Sequence, residues 1–315
     1  MTSPSFSSPS LVGPAIQVQK SPWRSSCHRG AVWMVAFATT LMRWSGWRVI
    51  YILIFFGAVF YWLLGQRTRR GLVSYWARVR PDASYLDRWL WTYQHLVRFG
   101  RVLMDRQVFY HPDFTYSGSG LVPLRKALNS GQGCILLSAH IGNWELSAAR
   151  LNAISRGRAA IVRVIDDNPE LRRLIESHMG DAQPEHIDPR DFLAASLRIR
   201  ARLDQGWLVC MLGDRQLSGQ AALRVPFLGE PAPFSTGPFL VAGLTGAPVF
   251  MGFFMKRGRR HYHVEVEEPL TITLPRKGAE REKALAAAVH HWSQRLEDVV
   301  RRHPQQWHNF HNFWQ

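Results

Sequence analysis

The sequence predicts an α/β protein: a mainly parallel central sheet flanked by helices, preceded by an N-terminal membrane helix or helical hairpin. Three observations carry this. Short uncharged apolar runs, Gly133–Ala139 and Trp207–Leu212 among them, have the length and composition of buried strands. Stretches of helical period lie between them, and alternation of strand and helix is the pattern of a parallel sheet with crossover helices. Ahead of them all stands a longer apolar block, Ala31–Gly65, broken only at 43–48.

Composition narrows the class. The chain has 315 residues, a formal charge of +16, thirteen Trp and three Cys. That length suits one large domain or two small ones, with room for a substantial core. An apolar content of 46% excludes wholesale disorder. Cys27, Cys134 and Cys210 are far apart, with no CxxC and no adjoining His pair. This excludes a disulfide scaffold and a Cys-based zinc site. The positive charge points to an anionic partner: nucleic acid, a phospholipid surface, or an acidic substrate or carrier. The Trp content leans toward the membrane interface, where amphipathic aromatics collect.

The elements follow in order. Residues 1–22 are rich in Ser and Pro without apolar periodicity and read as a disordered tail. Residues 23–70 read as a membrane-anchoring segment. Ala31–Met42 is a first apolar run, residues 43–48 interrupt it, and Val49–Gly65 follows with 17 residues and no charge. This is the lower limit for a transmembrane helix, roughly 17–25 residues. Trp44 and Trp47 flank one end, and Tyr61 and Trp62 the other, as an aromatic belt would. Arg67, Arg69, Arg70, Arg78 and Arg80 follow the run, against Arg24, Arg29, Arg43 and Arg48 before it. That slight bias places the C-terminal side in the cytoplasm; a monotopic hairpin with both ends there fits equally.

Residues 71–315 read as one α/β domain. Leu72, Tyr75, Trp76 and Val79, then Tyr85, Leu86, Trp89, Leu90, Tyr93, Leu96 and Val97, keep a helical period with basic residues between, which predicts amphipathic helices over 72–109. Strands are expected at Gly133–Ala139, Ala159–Ile165, Trp207–Leu212, Val249–Phe254 and His261–Val266. Helices are expected at Trp144–Ile154, Pro169–His178, Asp191–Asp204 and Glu280–Arg302. Lys256–Arg260 reads as the tip of a hairpin. No nucleic-acid motif accompanies the basic runs, so they are assigned to anionic lipid rather than nucleic acid. The C-terminal stretch reads as an amphipathic, interface-seeking tail, and its His303, His308 and His311 lack the carboxylate shell a metal would need.

The chemistry concentrates in Ser138-Ala139-His140-Ile141-Gly142-Asn143-Trp144-Glu145. A buried strand runs up to His140, Gly142 and Asn143 make a turn, and a helix begins near Glu145. Ends of parallel strands are where α/β proteins place their chemistry. A His there with a carboxylate returned by the turn forms an acid–base pair: Glu145 would fix the tautomer of His140 and balance the imidazolium. The spacing His-x4-Asp/Glu also occurs at His186/Asp191 and His263/Glu268, and chance supplies about one such pair. Context separates the three. Asp191 reads as a helix N-cap, His263/Glu268 straddles a surface strand, and only His140 has the apolar strand before it and the tight turn after it. Without a neighbouring Ser or Cys nucleophile, the pair points to direct activation of a substrate hydroxyl. A serine hydrolase needs a Gly-x-Ser-x-Gly elbow, which Ser117-Gly118-Ser119-Gly120 does not match.

Residues 138–145 resemble the signature of the lysophospholipid acyltransferase superfamily, in its lipid A biosynthesis acyltransferase branch, where Glu closes the motif after Gly-Asn-Trp. Further segments are similar to the family's in the same order: Arg163 followed by Asn168-Pro169, Asp214-Arg215-Gln216, Val225–Ala232, Thr236-Gly237-Pro238, and the aromatic ending Gln306–Trp314. Where the family carries a further basic residue after Asn-Pro, this chain has Ser177-His178-Met179. The resemblance implies a glycerolipid acyltransferase-like fold and transfer of a fatty acyl chain from a thioester to a hydroxyl or amine. His140 is then the general base and Glu145 its partner, with no metal and no cofactor. The implied donor is acyl carrier protein or acyl-CoA, and the implied acceptor an anionic glycolipid or other lipid at the inner membrane, with the catalytic domain facing the cytoplasm. Asn143, Arg163, Asp214, Arg215, Gln216, Thr236 and Gly237 become the substrate-binding candidates. Asp214 and Arg215 are expected to form an ion pair that shapes the pocket. The helix after Thr236 is expected to offer Phe239, Leu240, Val241 and Leu244 to an acyl groove. The alternatives are the same chemistry on a polyene or aminolipid, and a non-catalytic lipid-binding protein of the same fold.

Overall fold

The computed structural model describes residues 29–105, 114–164, 184–216 and 221–314. The expected tail at 1–22, the pair Asn168-Pro169 and the expected helix Pro169–His178 lie outside the described residues. Three helices come first: α1 Arg29–Leu64, α2 Gln66–Val79 and α3 Tyr85–Asp105. The rest alternates as β1 Thr115–Ser119, α4 Leu121–Asn129, β2 Cys134–Ser138, α5 Trp144–Ile154, β3 Ala159–Val162, β4 Glu185–Ile187, α6 Phe192–Asp204 and β5 Leu208–Leu212. Then come a two-stranded hairpin, β6 Ala222–Phe227 and β7 Glu230–Ser235, helix α7 Gly237–Thr245, β8 Val249–Lys256, β9 His261–Val266 and α8 Ala279–Arg302.

Seven strands form one sheet in the order β1-β9-β8-β2-β5-β3-β4. All its pairings are parallel except β8 with β9. The expected mainly parallel α/β sheet is the observed one. β2 lies at the centre with every residue buried, and β5 beside it is buried in all but Leu212. Strands covered on both faces carry continuous apolar runs rather than alternation. α8 brings Val289, Trp292, Leu296, Val299 and Val300 onto the sheet, with Trp292 stacked on Phe253 at 5.8 Å. Asp191 caps α6 by accepting from the Ala194 N–H at 3.0 Å, as its position predicted.

Some elements escaped the sequence. β1, α4, β4 and the β6–β7 hairpin have short or mixed patterns. The hairpin turns at Leu228-Gly229, both at positive φ (53° and 87°), the geometry of a type I′ connection. The amphipathic helices over 72–109 resolve into α2 and α3, and α2 crosses the expected boundary at residue 70, burying Leu72, Tyr75, Trp76 and Val79.

The N-terminal block differs from a hairpin. α1 continues through residues 43–48 without a break, and the chain turns instead at Gly65, where Arg48–Leu64 and Gln66–Val79 meet at 94°. Arg and Trp are good enough helix formers that their polarity alone does not end a helix. Among the described residues no single helix is long and apolar enough to cross a membrane; this bent pair meets that measure only jointly. α1 packs on α3 through Trp62 on Trp89 (3.7 Å between centroids), and the Tyr93 hydroxyl donates to the Phe55 carbonyl at 2.8 Å. The opposite face is apolar and exposed: Ile52, Phe56, Phe60 and Leu64 are each more than half accessible.

A buried polar knot closes α1 and α3 onto the sheet. Asp105, in the last turn of α3, accepts from Tyr262 at 2.6 Å, from the Tyr51 hydroxyl and from Lys256 Nζ. Burial pushes the Asp105 carboxyl up and the Lys256 ammonium down in pKa, each shift opposed by the other's charge. The C-terminal tail is not interface-seeking. Trp307, Phe313 and Trp314 are buried against Phe227 and Tyr75, because rings that find a preformed aromatic cluster bury more surface there than at an interface.

Candidate active site

The centre is built by two neighbouring strands and the tail. β2 and β5 pair in parallel with Ser138 opposite Leu212, and the Gly213 N–H donates to the Ser138 carbonyl at 2.8 Å. Two residues beyond each strand stand His140 and Asp214, so the register that aligns the strands also aligns these side chains. His140 Nδ1 lies 2.8 Å from Asp214 Oδ1, and the His140 backbone N–H donates to Oδ2 at 2.9 Å. Trp307 Nε1–H donates to the same Oδ2 at 2.9 Å. Three N–H groups thus converge on a carboxylate that is 1% exposed. Burial alone would raise its pKa. The facing His140 with its hydrogen bonds and the nearby Arg215 charge outweigh that and hold it well below the usual carboxylate range. An ionised Asp214 requires a proton on His140 Nδ1, which leaves Nε2 as the basic nitrogen.

The loop after His140 is held from three sides. Gly142 has φ +59, and a Cβ there would sit 1.9 Å from the Phe254 carbonyl oxygen, so only glycine fits. Its N–H donates to the Gln306 carbonyl at 2.8 Å, and the His308 N–H donates to the His140 carbonyl at 2.7 Å. Asn143 caps α5 by accepting from the Leu146 N–H at 3.3 Å and donates to the Val102 carbonyl at 3.1 Å. This substrate-binding candidate is buried and serves the turn. His308 Nε2 lies 3.1 Å from the Gly142 carbonyl; burial first, then the neighbouring His95, drives its imidazole well below the ordinary histidine range.

The carboxylate at Nδ1 of His140 is therefore Asp214, in the place that sequence reasoning gave to Glu145. Glu145 lies in the first turn of α5, and its side chain lies outside the described residues. Arg215, expected to pair with Asp214, extends Nη2 to the His308 carbonyl at 2.9 Å, close enough for its charge to act on Asp214. Arg163 follows β3 on the same edge of the sheet, its N–H bonded to the Ile187 carbonyl at 3.1 Å, and Gln216 lies two residues past Asp214, half-buried. Thr236 and Gly237 stand at the start of α7. The Thr236 hydroxyl donates to the Ala221 carbonyl at 3.1 Å rather than capping the helix, and the Gly237 N–H donates to Ser235 Oγ at 3.3 Å. Neither is joined to His140 by a described hydrogen bond. The four apolar residues of α7 do not share one environment: Phe239 is fully buried in the core while Leu244 is 65% exposed. Residues on one short helix turn to opposite faces. A small recess is lined by Leu136, Ser138, Trp144, Ile161, Cys210, Met211 and Leu212, and Trp144 stands edge-on to His140 at 5.9 Å.

Two features escaped sequence reasoning. The Asp214 contact was detectable in outline, since two buried five-residue strands each end two residues before a polar side chain. The contact of Trp307 with that carboxylate had no local signal. Among the described residues, no group of three or more His, Cys, Asp or Glu is placed to hold a metal ion.

The chain is 25% identical over 209 residues to the phosphatidylinositol mannoside acyltransferase of Mycobacterium tuberculosis, a match covering 62% of this chain and 58% of that protein's length. Among solved structures it is similar to the 1-acyl-sn-glycerophosphate acyltransferase PlsC of Thermotoga maritima, with 13% identity, a TM-score of 0.37, and coverage of 80% of this chain and 97% of that one. The family match gives the class, that of the acyltransferases. The profile of the bacterial lipid A biosynthesis acyltransferases matches residues 20–315, and the chain belongs to that family.

Proposed function

We propose that the protein moves a fatty acyl chain from an acyl thioester to a hydroxyl or amine of a lipid or glycolipid acceptor at a membrane surface. The observation that carries this reading is the His140–Asp214 pair at the ends of adjacent parallel strands. His140 Nε2 takes the proton of the acceptor hydroxyl as its oxygen attacks the thioester carbonyl carbon. The tetrahedral intermediate collapses with cleavage of the C–S bond, and the imidazolium returns the proton to the departing thiolate. Asp214 holds the tautomer and balances the imidazolium. Glu145, in the first turn of α5, is retained as a second carboxylate of the site, partnering His140 as the family resemblance implies. A thiol nucleophile is disfavoured at the described cysteines, because burial pushes both Cys134 and Cys210 up to about 12.

Arg163, Arg215 and Gln216 line the same strand-end edge and suit a phosphate on the acceptor or on the donor's phosphopantetheine. Thr236 and Gly237 order the start of α7. The +16 charge suits acyl carrier protein, an acidic donor, and an anionic acceptor. The exposed apolar face of α1, with Phe60 67% and Leu64 80% accessible, supports burial in a bilayer, here the inner membrane with the catalytic domain in the cytoplasm.

A second acceptor class is favoured by one observation: the Mycobacterium tuberculosis relative is named for a mannoside rather than lipid A. The same chemistry on another glycolipid, an aminolipid or a polyene follows from the same site. Mass spectrometry of lipids from cells with no protein, the wild type or His140→Ala tests both. An acylated species present only with the wild type names the acceptor; one that persists with His140→Ala refutes the role of His140.

A further inference from the structure

We infer that Trp307 is a positioning residue for the acid–base pair, set by the C-terminal tail from outside the sheet. This rests on the reading of His140 as the general base. Trp307 is fully buried, and its indole N–H is directed to Asp214 Oδ2 at 2.9 Å. The ring is held by edge contacts with Phe227 at 5.2 Å and Phe313 at 5.1 Å and by the tilted ring of Tyr75 at 5.4 Å, so the N–H direction is fixed before substrate arrives. The tail is tied to the catalytic loop on both sides of that residue. Trp307 bridges Ile141, Gly142 N–H donates to the Gln306 carbonyl, and His308 N–H donates to the His140 carbonyl. Arg215 then closes over the His308 carbonyl.

The chemical consequence has a sign. Asp214 Oδ2 accepts from Trp307 and from the His140 backbone, while Oδ1 faces the imidazole. Hydrogen bonds to a carboxylate disperse its charge and lower its basicity. Removing the indole N–H concentrates charge on Asp214, which then stabilises the imidazolium more strongly. The pKa of His140 rises, and the acid limb of the rate profile moves to higher pH. A residue that only fills space would change stability and leave the titration where it was.

Three variants separate these cases. Trp307→Phe removes the N–H and part of the ring. β-(3-Benzothienyl)alanine incorporated at position 307 removes the N–H at nearly constant volume, which covers the case in which Trp307→Phe folds poorly. Trp314→Phe is the control, since that buried indole donates to the Phe227 carbonyl at 3.2 Å instead. The titration of His140 is read by 15N-histidine NMR of the full-length protein in detergent micelles, assigned with His140→Ala. Its signal moves upward by about half a unit to one unit in both 307 variants and stays put in Trp314→Phe. The acid limb of thiol release from palmitoyl-CoA with lipid vesicles moves in the same direction. An unmoved titration in the benzothienyl variant, or an equal shift in Trp314→Phe, overturns the assignment of Trp307. Full activity in His140→Ala overturns the general-base reading instead, and the NMR titration remains readable either way.

Discussion

Asp214→Asn is the most informative single change, because it preserves shape and reverses one hydrogen bond. The amide oxygen can still accept the two donors at the Oδ2 position, the His140 backbone N–H and Trp307 Nε1–H. The amide NH2 then faces His140 Nδ1, where the carboxylate oxygen lay at 2.8 Å. Two donors cannot share that contact, so the imidazole accepts at Nδ1 and carries its proton on Nε2. That tautomer cannot take a proton from the acceptor. The imidazolium of the transition state also loses its counter-charge. Two unit charges about 4 Å apart attract by about 4 kcal/mol at an effective dielectric near 20. Converted at about 1.4 kcal/mol per tenfold, that is a loss of roughly a thousandfold in kcat, and the tautomer penalty carries it toward ten thousandfold. KM changes little, since Asp214 is buried behind His140. Initial rates of thioester consumption in the presence of lipid vesicles measure this, with a thermal melt confirming the fold. The double variant with His140→Ala should be no slower than His140→Ala alone, because the two residues act as one unit. A kcat within tenfold of wild type, or additive losses in the double variant, would refute the pairing.

Gly142→Ala places a methyl group 1.9 Å from the Phe254 carbonyl at φ +59; the expected loss is above about 2 kcal/mol of stability together with most activity, read by urea unfolding and rate. The acid sensitivity of the fold should be set by buried histidines. Burial drives His95 down to about 3 and His311 to about 4, below the ordinary 6.5. A lowered folded-state pKa contributes stability above the unfolded value, so the urea midpoint falls as pH drops from 6.5 toward 3, and His95→Phe flattens that slope. Asp214 contributes only in stronger acid: its folded pKa lies below the unfolded 3.8, so its contribution is intact above that pH and is lost below it. An unchanged slope in His95→Phe would count against this account. Phe56→Asp with Phe60→Asp should release the protein from sedimented anionic vesicles without changing its melting temperature, because both rings are more than half exposed; retention on the vesicles refutes membrane contact through this face.

Much of the scaffold was legible because it rests on local pattern. The uncharged runs that became β2 and β5, the heptad-like spacing in α2 and α3, and the Asp191 cap all follow from side-chain period and backbone chemistry within a few residues. The strands that were missed are short or polar: β4 is the three residues Glu-His-Ile, and β1 is Thr-Tyr-Ser-Gly-Ser. β1 is recruited by pairing with β9, where Ser117 meets His261 and His263, rather than by any apolar pattern of its own. At the site, His140 and the Gly142 turn could be read from one eight-residue segment. The contact of Asp214 with His140 could not, because the two residues lie 74 positions apart and only sheet order brings them together.

By itself the sequence determined the α/β class, the buried strand that presents His140, the glycine turn after it, the apolar N-terminal block and the family resemblance. Each depends on interactions between near neighbours in the chain. The tertiary structure decided the rest. Strand order places β5 beside β2 with β3 and β4 displaced outward, and that adjacency delivers Asp214 to His140. The aromatic tail enters the core because Phe227 and Tyr75 form a dry receptor for it, which aims the Trp307 N–H at the same carboxylate. Long-range placement of this kind comes from packing whole elements against one another, and no stretch of sequence contains it alone.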